Sequence, residues 1–200
     1  IIQKRVNKTR EMRLSSPDSG ARKLALKPHQ FREFNECDNN TLIIPSTSSE
    51  RREYIPMGFA DTNTVITNSN YSVSNATHTL FGIVTSKMQM IWMKAIGGRL
   101  KSDYRYTSLV YNTFPFPEIS EEKKKEIEEA AEEVLCVRAE HSEKTLAEMY
   151  DPDKMPADLR AAHHTLDLIV ESCYRKEPFT SDEERLEHLF KLYEKMTTKK

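Results

Sequence analysis

The sequence predicts an α+β protein: a mixed β/α part over residues 1–117, then an all-α helical part over residues 118–200. Three observations carry this. Residues 1–117 are rich in Thr, Ser, Asn, Tyr and β-branched types, and residues 118–200 in Glu, Lys, Leu and Ala. The apolar pattern changes from short strand-like runs to helical spacing. The charge changes sign at the same place: 16 Lys/Arg against 9 Asp/Glu give +7 before the boundary, 14 against 22 give −8 after it, and the whole chain carries −1. A length of 200 residues fits one or two domains.

In chain order, the basic stretch with Lys4, Arg5, Lys8, Arg10 and Arg13 reads as a phosphate-binding arm or as the exposed end of a domain. Thr41–Pro45, Glu53–Phe59 and Thr64–Thr67 are expected strands, each apolar or β-branched and bounded by Pro, Gly, Asp or Asn. Asn68-Ser69-Asn70 is an expected turn, because short polar side chains bond their own backbone there. Tyr71–Val73 is a further, shorter strand. From Thr79 to Ile96 the apolar residues Leu80, Ile83, Val84, Met88, Ile91, Trp92 and Ala95 fall at helical spacing, with Gly97-Gly98 as the stop. Tyr106–Tyr111 is expected to be a strand. Phe114-Pro-Phe-Pro117 cannot be helical, since each Pro biases its predecessor to extended backbone, so it reads as a connector whose rings pack on a neighbouring surface. Beyond it, a helix is expected from Ser120 to about His141, with Ile127, Ala131, Val134 and Leu135 inward, and a short one from Ser142. After the Asp151–Pro156 loop come a helix over 157–175 and a last helix opened by a Ser181–Glu184 capping box.

Several function classes are disfavoured. No run of about 18 apolar residues exists to cross a membrane. Cys37, Cys136 and Cys173 are scattered and odd in number, which gives no disulfide framework and no paired metal ligands, and implies a reducing, cytoplasmic setting. There is no GxGxxG, P-loop, GxSxG or HExxH pattern. His163-His164 are adjacent and point different ways on a helix. Asp151, Asp153 and Lys154 have the residue types of a nuclease site but sit on a loop. The first residue is Ile1, so the chain is expected to be a fragment of a longer one.

Three stretches go beyond composition: Glu50–Phe59 (ERREYIPMGF), Leu80–Trp92 (LFGIVTSKMQMIW), and Gly97–Tyr106 (GGRLKSDYRY) leading to Val110–Pro117 (VYNTFPFP). Together they resemble the target-recognition domain of MmeI-like (type IIL) restriction–modification enzymes and related adenine-N6 DNA methyltransferases. Glu143–Pro156 and Asp182–Phe190 resemble the helical C-terminal domain that follows it. The resemblance implies a C-terminal, non-catalytic fragment that recognises a sequence in double-stranded DNA. It also implies a methyltransferase domain elsewhere in the same parent chain, using S-adenosylmethionine, with or without a nuclease.

A DNA reader needs cations for phosphates and paired donors and acceptors for base edges. Arg99, Lys101, Asp103 and Arg105 alternate, which in one extended segment puts four charges on one side. The bland alternative is a solvated edge strand. Asn68, Ser69 and Asn70 have side chains suited to base edges, or form an ordinary turn. Arg51 and Arg52 suit phosphates, or pair with Glu50 or Glu53. In MmeI-like enzymes the two positions matching Lys101 and Asp103 are implicated in reading the base pair beside the methylated adenine. The rival reading is a protein–protein interaction module that docks a partner through its acidic helical half.

Overall fold

The computed structural model describes residues 1–32, 35–37 and 40–198. Helix α1 (Ile2–Leu14) buries no residue, and α2 (Ser19–Lys23) is capped by the Asp18 carboxylate. Short antiparallel strands follow: β1 (Asn35–Glu36), β2 (Thr41–Pro45), β3 (Thr47–Ser48), β4 (Gly58–Ala60), β5 (Val65–Ile66) and β6 (Asn70–Val73). Leu42 and Ile44 alternate inward on β2, which lies between β4 and β6. Then come α3 (His78–Thr85), α4 (Lys87–Ile96), β7 (Gly98–Leu100), β8 (Asp103–Arg105) and α5 (Ser108–Thr113). The remainder is helical: α6 (Glu121–Glu140), α7 (Leu146–Met149), α8 (Ala157–Ser172) and α9 (Asp182–Thr198). Lys199 and Lys200, the end of the expected helical part, lie outside the described residues. Among those described, no helix is long and apolar enough to cross a membrane.

The α+β arrangement is as expected, with four local corrections. The single helix over 79–96 is two helices broken at Ser86, whose ψ is 163°. The Thr85 and Ser86 hydroxyls donate back to the carbonyls of Phe81 and Ile83, both at 2.7 Å, which competes with the helix ladder. The stretch 53–57 is irregular and only Gly58 onward is strand, because its groups are tied to the helical half and not to a ladder. Residues 108–113 are helix and not strand; Tyr106, Val110 and Phe114, four apart, form one buried stripe. Finally, the segment 99–105 is a hairpin and not one extended strand.

The helices after Pro117 do not pack only on each other. One apolar cluster joins Leu42 and Ile44 to Phe81 and Met88, and on to Ile127, Leu166 and Leu189. A Cβ on Gly82 would meet Ile127 at 2.7 Å and Leu166 at 3.2 Å, so α3 lies tight against α6 and α8. Trp92 of α4 packs against Phe190 and Tyr193 of α9, with ring centroids 5.2 and 5.5 Å apart. The Phe114 and Phe116 rings meet edge to face in the connector, and the Tyr174 hydroxyl donates to the Pro115 carbonyl.

A buried polar relay crosses the same boundary. Arg138 is 7% exposed and donates to the Met57 carbonyl at 2.7 Å and to the Tyr150 hydroxyl oxygen. With its oxygen accepting from Arg138, Tyr150 gives its own proton to His163 Nε2, 2.6 Å away. The His163 ring stacks on Tyr54 at 4.2 Å. Tyr54 donates to one Asp167 oxygen at 2.6 Å, and the Lys87 N–H donates to the other at 2.7 Å. Asp167 thereby caps the N-terminus of α4 from 80 residues away.

Two outcomes follow from the relay. Tyr150→Phe leaves Arg138 Nε and His163 Nε2 without their partner in an apolar interior, while the Arg138 bond to the Met57 carbonyl remains, and is expected to cost about 2–4 kcal/mol in denaturant melts. A loss under half a kcal/mol would mean that the relay contributes little to stability. The second outcome concerns pH. Burial holds His163 down at about 3, so the unfolded chain alone takes up that proton below 6.5 and stability falls with acid. Burial also holds the Asp167 carboxyl up at about 7, so the folded chain takes up that proton first and stability rises as pH falls from 7. The two oppose each other between pH 7 and 5. Asp167→Asn keeps only the histidine contribution, and is expected to steepen the acid loss over that window by about 2 kcal/mol. An unchanged slope in melts at pH 7, 6 and 5 contradicts this.

Candidate nucleic-acid interface

Helix α4 ends at Gly97, whose N–H bonds the Met93 carbonyl at 2.8 Å, and the chain turns directly into the β7–β8 hairpin. Register pairs Gly98 with Arg105, Arg99 with Tyr104, and Leu100 with Asp103, which leaves Lys101 and Ser102 as the loop. Lys101 has φ of +58°, a left-handed conformation that side chains other than those of Gly, Asn and Asp seldom take. The tip therefore carries a backbone cost of about 1 kcal/mol or more, and cost of this kind clusters at functional positions.

The four alternating charges do not share a face. Arg99 is on the outgoing strand, beside Tyr104. It lies over that ring at 4.3 Å and donates to Glu50 at 3.1 Å, to the Ser102 carbonyl at 2.8 Å and to the Tyr104 hydroxyl at 3.2 Å. Its donors are spent within the chain. Asp103 and Arg105 share the opposite face, and Lys101 occupies the tip. Among the described residues, Lys101, Asp103 and Arg105 make no side-chain hydrogen bond or ion pair, and Lys101 and Arg105 are exposed.

The other expected surface comes to the same place through a segment that sequence reasoning missed. The Asn70 N–H bonds the Thr67 carbonyl at 3.1 Å, closing the turn, and the Ser46 N–H bonds the Ser69 carbonyl at 3.0 Å. The next residue, Thr47, pairs with Arg105 on β8. Residues 45–48 are thus flanked on one side by the turn and on the other by the hairpin. Inside the turn, Ser69 and Asn70 bond each other and Thr67, at 2.8–3.2 Å. Only the exposed Asn68 amide has no partner among the described residues.

The remaining cations are partly committed. Arg51 pairs with Asp153 at 2.7 Å and not with its neighbouring glutamates, and Arg52 reaches the Ala147 carbonyl at 3.4 Å. Glu53 instead pairs with Arg160. Both members of the Arg51–Asp153 pair are more than 60% exposed, so the pair is weak and exchangeable. Arg13 donates to the carbonyls of Leu24, Lys27 and Gln30, holding the turn after α2, whereas Lys4, Arg5, Lys8 and Arg10 stay exposed.

His163 is buried in the relay while His164 is exposed. Asp151 caps its own loop at the Asp153 N–H. Among the described residues, no group of three or more His, Cys, Asp or Glu side chains could hold a metal.

Known proteins match this geometry. The family described as "MmeI, target recognition domain" matches residues 1–118, and "MmeI, C-terminal domain" matches residues 119–199. DNA methyltransferase A of Bacillus subtilis (strain 168) is 50% identical over 198 residues, 98% of this chain and 22% of that protein. A solved structure of the type IIL restriction-modification enzyme MmeI in complex with DNA superposes with a TM-score of 0.90 at 41% identity, covering 98% of this chain and 26% of that one. This chain therefore spans about a quarter of the length of the relatives it matches. Matched across both parts, the chain belongs to the MmeI family, as its target recognition domain and the C-terminal domain that follows.

Proposed function

We propose that this chain is the double-stranded-DNA reading module of a site-specific adenine-N6 DNA methyltransferase of the restriction–modification type. Methyl transfer, with S-adenosylmethionine as donor, belongs in this reading to a methyltransferase domain of the same parent chain outside these 200 residues. The observation that carries it is the set of polar groups left unspent at one place: Lys101 at a strained tip, with Asp103 and Arg105 on the strand behind it. Family membership and the DNA-bound relative support it. The rival is a protein-docking module that uses the acidic helical half, whose apolar residues pack in part against α3 and α4.

In this reading Lys101 and Asp103 share one base pair. Lys has three donors and guanine shows two major-groove acceptors; Asp only accepts, and the opposing cytosine shows an N4 donor. Arg105 faces phosphate, and Asn68 approaches a base edge from the far side of residues 45–48. Arg51, Arg52 and Arg99 are phosphate contacts of lower rank, since each must first leave an internal partner.

The expected preference is G beside the methylated adenine on the same strand, worth about 1–3 kcal/mol. Methylation by the full-length parent on duplexes varied at that one position measures it. The double variant Lys101→Glu with Asp103→Arg exchanges acid and base and is expected to turn the preference from G to C. If it still methylates with the original preference, these two residues are not the readers.

A further inference from the structure

The β7–β8 hairpin has two ends, and both are tied to α4. The first tie is covalent: α4 runs through Gly97 into Gly98. The second is a hydrogen bond. Tyr106, the residue that follows β8, is 2% exposed, and its hydroxyl oxygen accepts from Gln89 Nε2 at 3.0 Å. Gln89 lies about two turns before the end of α4. The chain thus leaves this helix, forms the hairpin and is caught by the same helix 17 residues after Gln89. The two ends also meet closely: a Cβ on Gly97 would stand 3.2 Å from the Arg105 carbonyl oxygen, besides running into that of Met93 at 2.4 Å.

Gln89 is a costly residue for its place. It is 1% exposed, between the buried Met88 and Met90, and its Oε1 has no hydrogen-bond partner among the described residues. A buried acceptor left unsatisfied costs more than one neutral hydrogen bond contributes. Replacing both partners of such a bond by apolar groups of the same shape is nearly neutral. Stability alone therefore gives no reason for an amide here. What the amide adds is direction: a bond of fixed geometry sets where the second strand leaves the sheet, and apolar packing does not.

Direction matters at the tip. Lys101 stands three residues from Gly98, about 10 Å along a strand at a rise of about 3.4 Å per residue. A tilt of about 10° at the base therefore moves the tip by about 2 Å, whereas recognition groups must be held within about 0.5 Å.

We propose that Gln89 and Tyr106 are positioning residues for base recognition: their bond closes the base of the hairpin and fixes the aim of Lys101 and Asp103. The inference rests on the reading of those two as base readers and deepens it, adding two buried residues behind them.

The test uses the full-length parent, a duplex with the preferred base beside the methylated adenine, and the same duplex changed at that base pair. Gln89→Met alone leaves the buried Tyr106 hydroxyl without its partner, and is expected to lower both the melting temperature and the discrimination between the duplexes. Adding Tyr106→Phe removes the stranded hydroxyl and is expected to return the melting temperature to that of the parent. Discrimination, read as the ratio of kcat/KM on the two duplexes, is expected to stay down by about tenfold in this double variant. Hydrogen exchange across residues 98–105 of the DNA-free double variant is expected to run faster than in the parent. A double variant that discriminates as the parent does, or whose hairpin exchanges no faster, shows that the bond serves stability alone; the positioning role is then wrong while the base readers stand. An unmodified parent that does not discriminate between the duplexes overturns the base readers, and the positioning role with them.

Discussion

Asp167 holds the Lys87 N–H at 2.7 Å and the Tyr54 hydroxyl at 2.6 Å, and the aim of the hairpin depends on these two bonds. The first fixes where α4 begins, and α4 runs without a linker through Gly97 into the hairpin. The second fixes the irregular stretch before Met57, whose carbonyl is held in turn by Arg138. A carboxyl group on α8 thus helps to set the position of the strand pair. The helical half is the mount on which the first half is oriented, which explains why the core does not divide at Pro117.

Charge is distributed by a consistent rule. Where a cation serves the fold, its donors are used: Arg13 on three carbonyls, Arg138 on Tyr150 and Met57, and Arg185 on Glu171 at 2.7 Å with both side chains nearly buried. Around residues 45–48 and the hairpin, Arg99 is likewise committed, whereas Lys101, Asp103, Arg105 and the Asn68 amide are left without partners among the described residues. Groups left unpaired in water cost little, yet they are the ones free to take a base edge or a phosphate.

Much of this was legible in the sequence, because the signals were local. The change of charge sign, the FPFP connector, the Ser120 cap and the stripes of α6 and α8 are each written within a few residues. The misreadings were long-range. Nothing near Ser86 announces that a carboxylate 80 residues away will take the next N–H. Lys101-Ser102 lacks the Asn-Gly or Gly signal of a two-residue hairpin, so 99–105 looked like one strand. His163, Asp167 and Glu171 are polar residues of α8 that no local pattern marks as interior, yet all three are buried. Ser46 and Thr47 carry no motif; their place between turn and hairpin comes from strand register alone.

The claim that the hairpin, turn and intervening segment face DNA while the helical half carries them is open to one direct measurement. Hydrogen–deuterium exchange on the full-length parent, with and without its duplex, reports both surfaces at once. Slowed exchange on DNA binding is expected at residues 45–48, 67–70 and 98–105, with α8 and α9 unchanged. Protection concentrated in α6 to α9, with none in the hairpin, would contradict it.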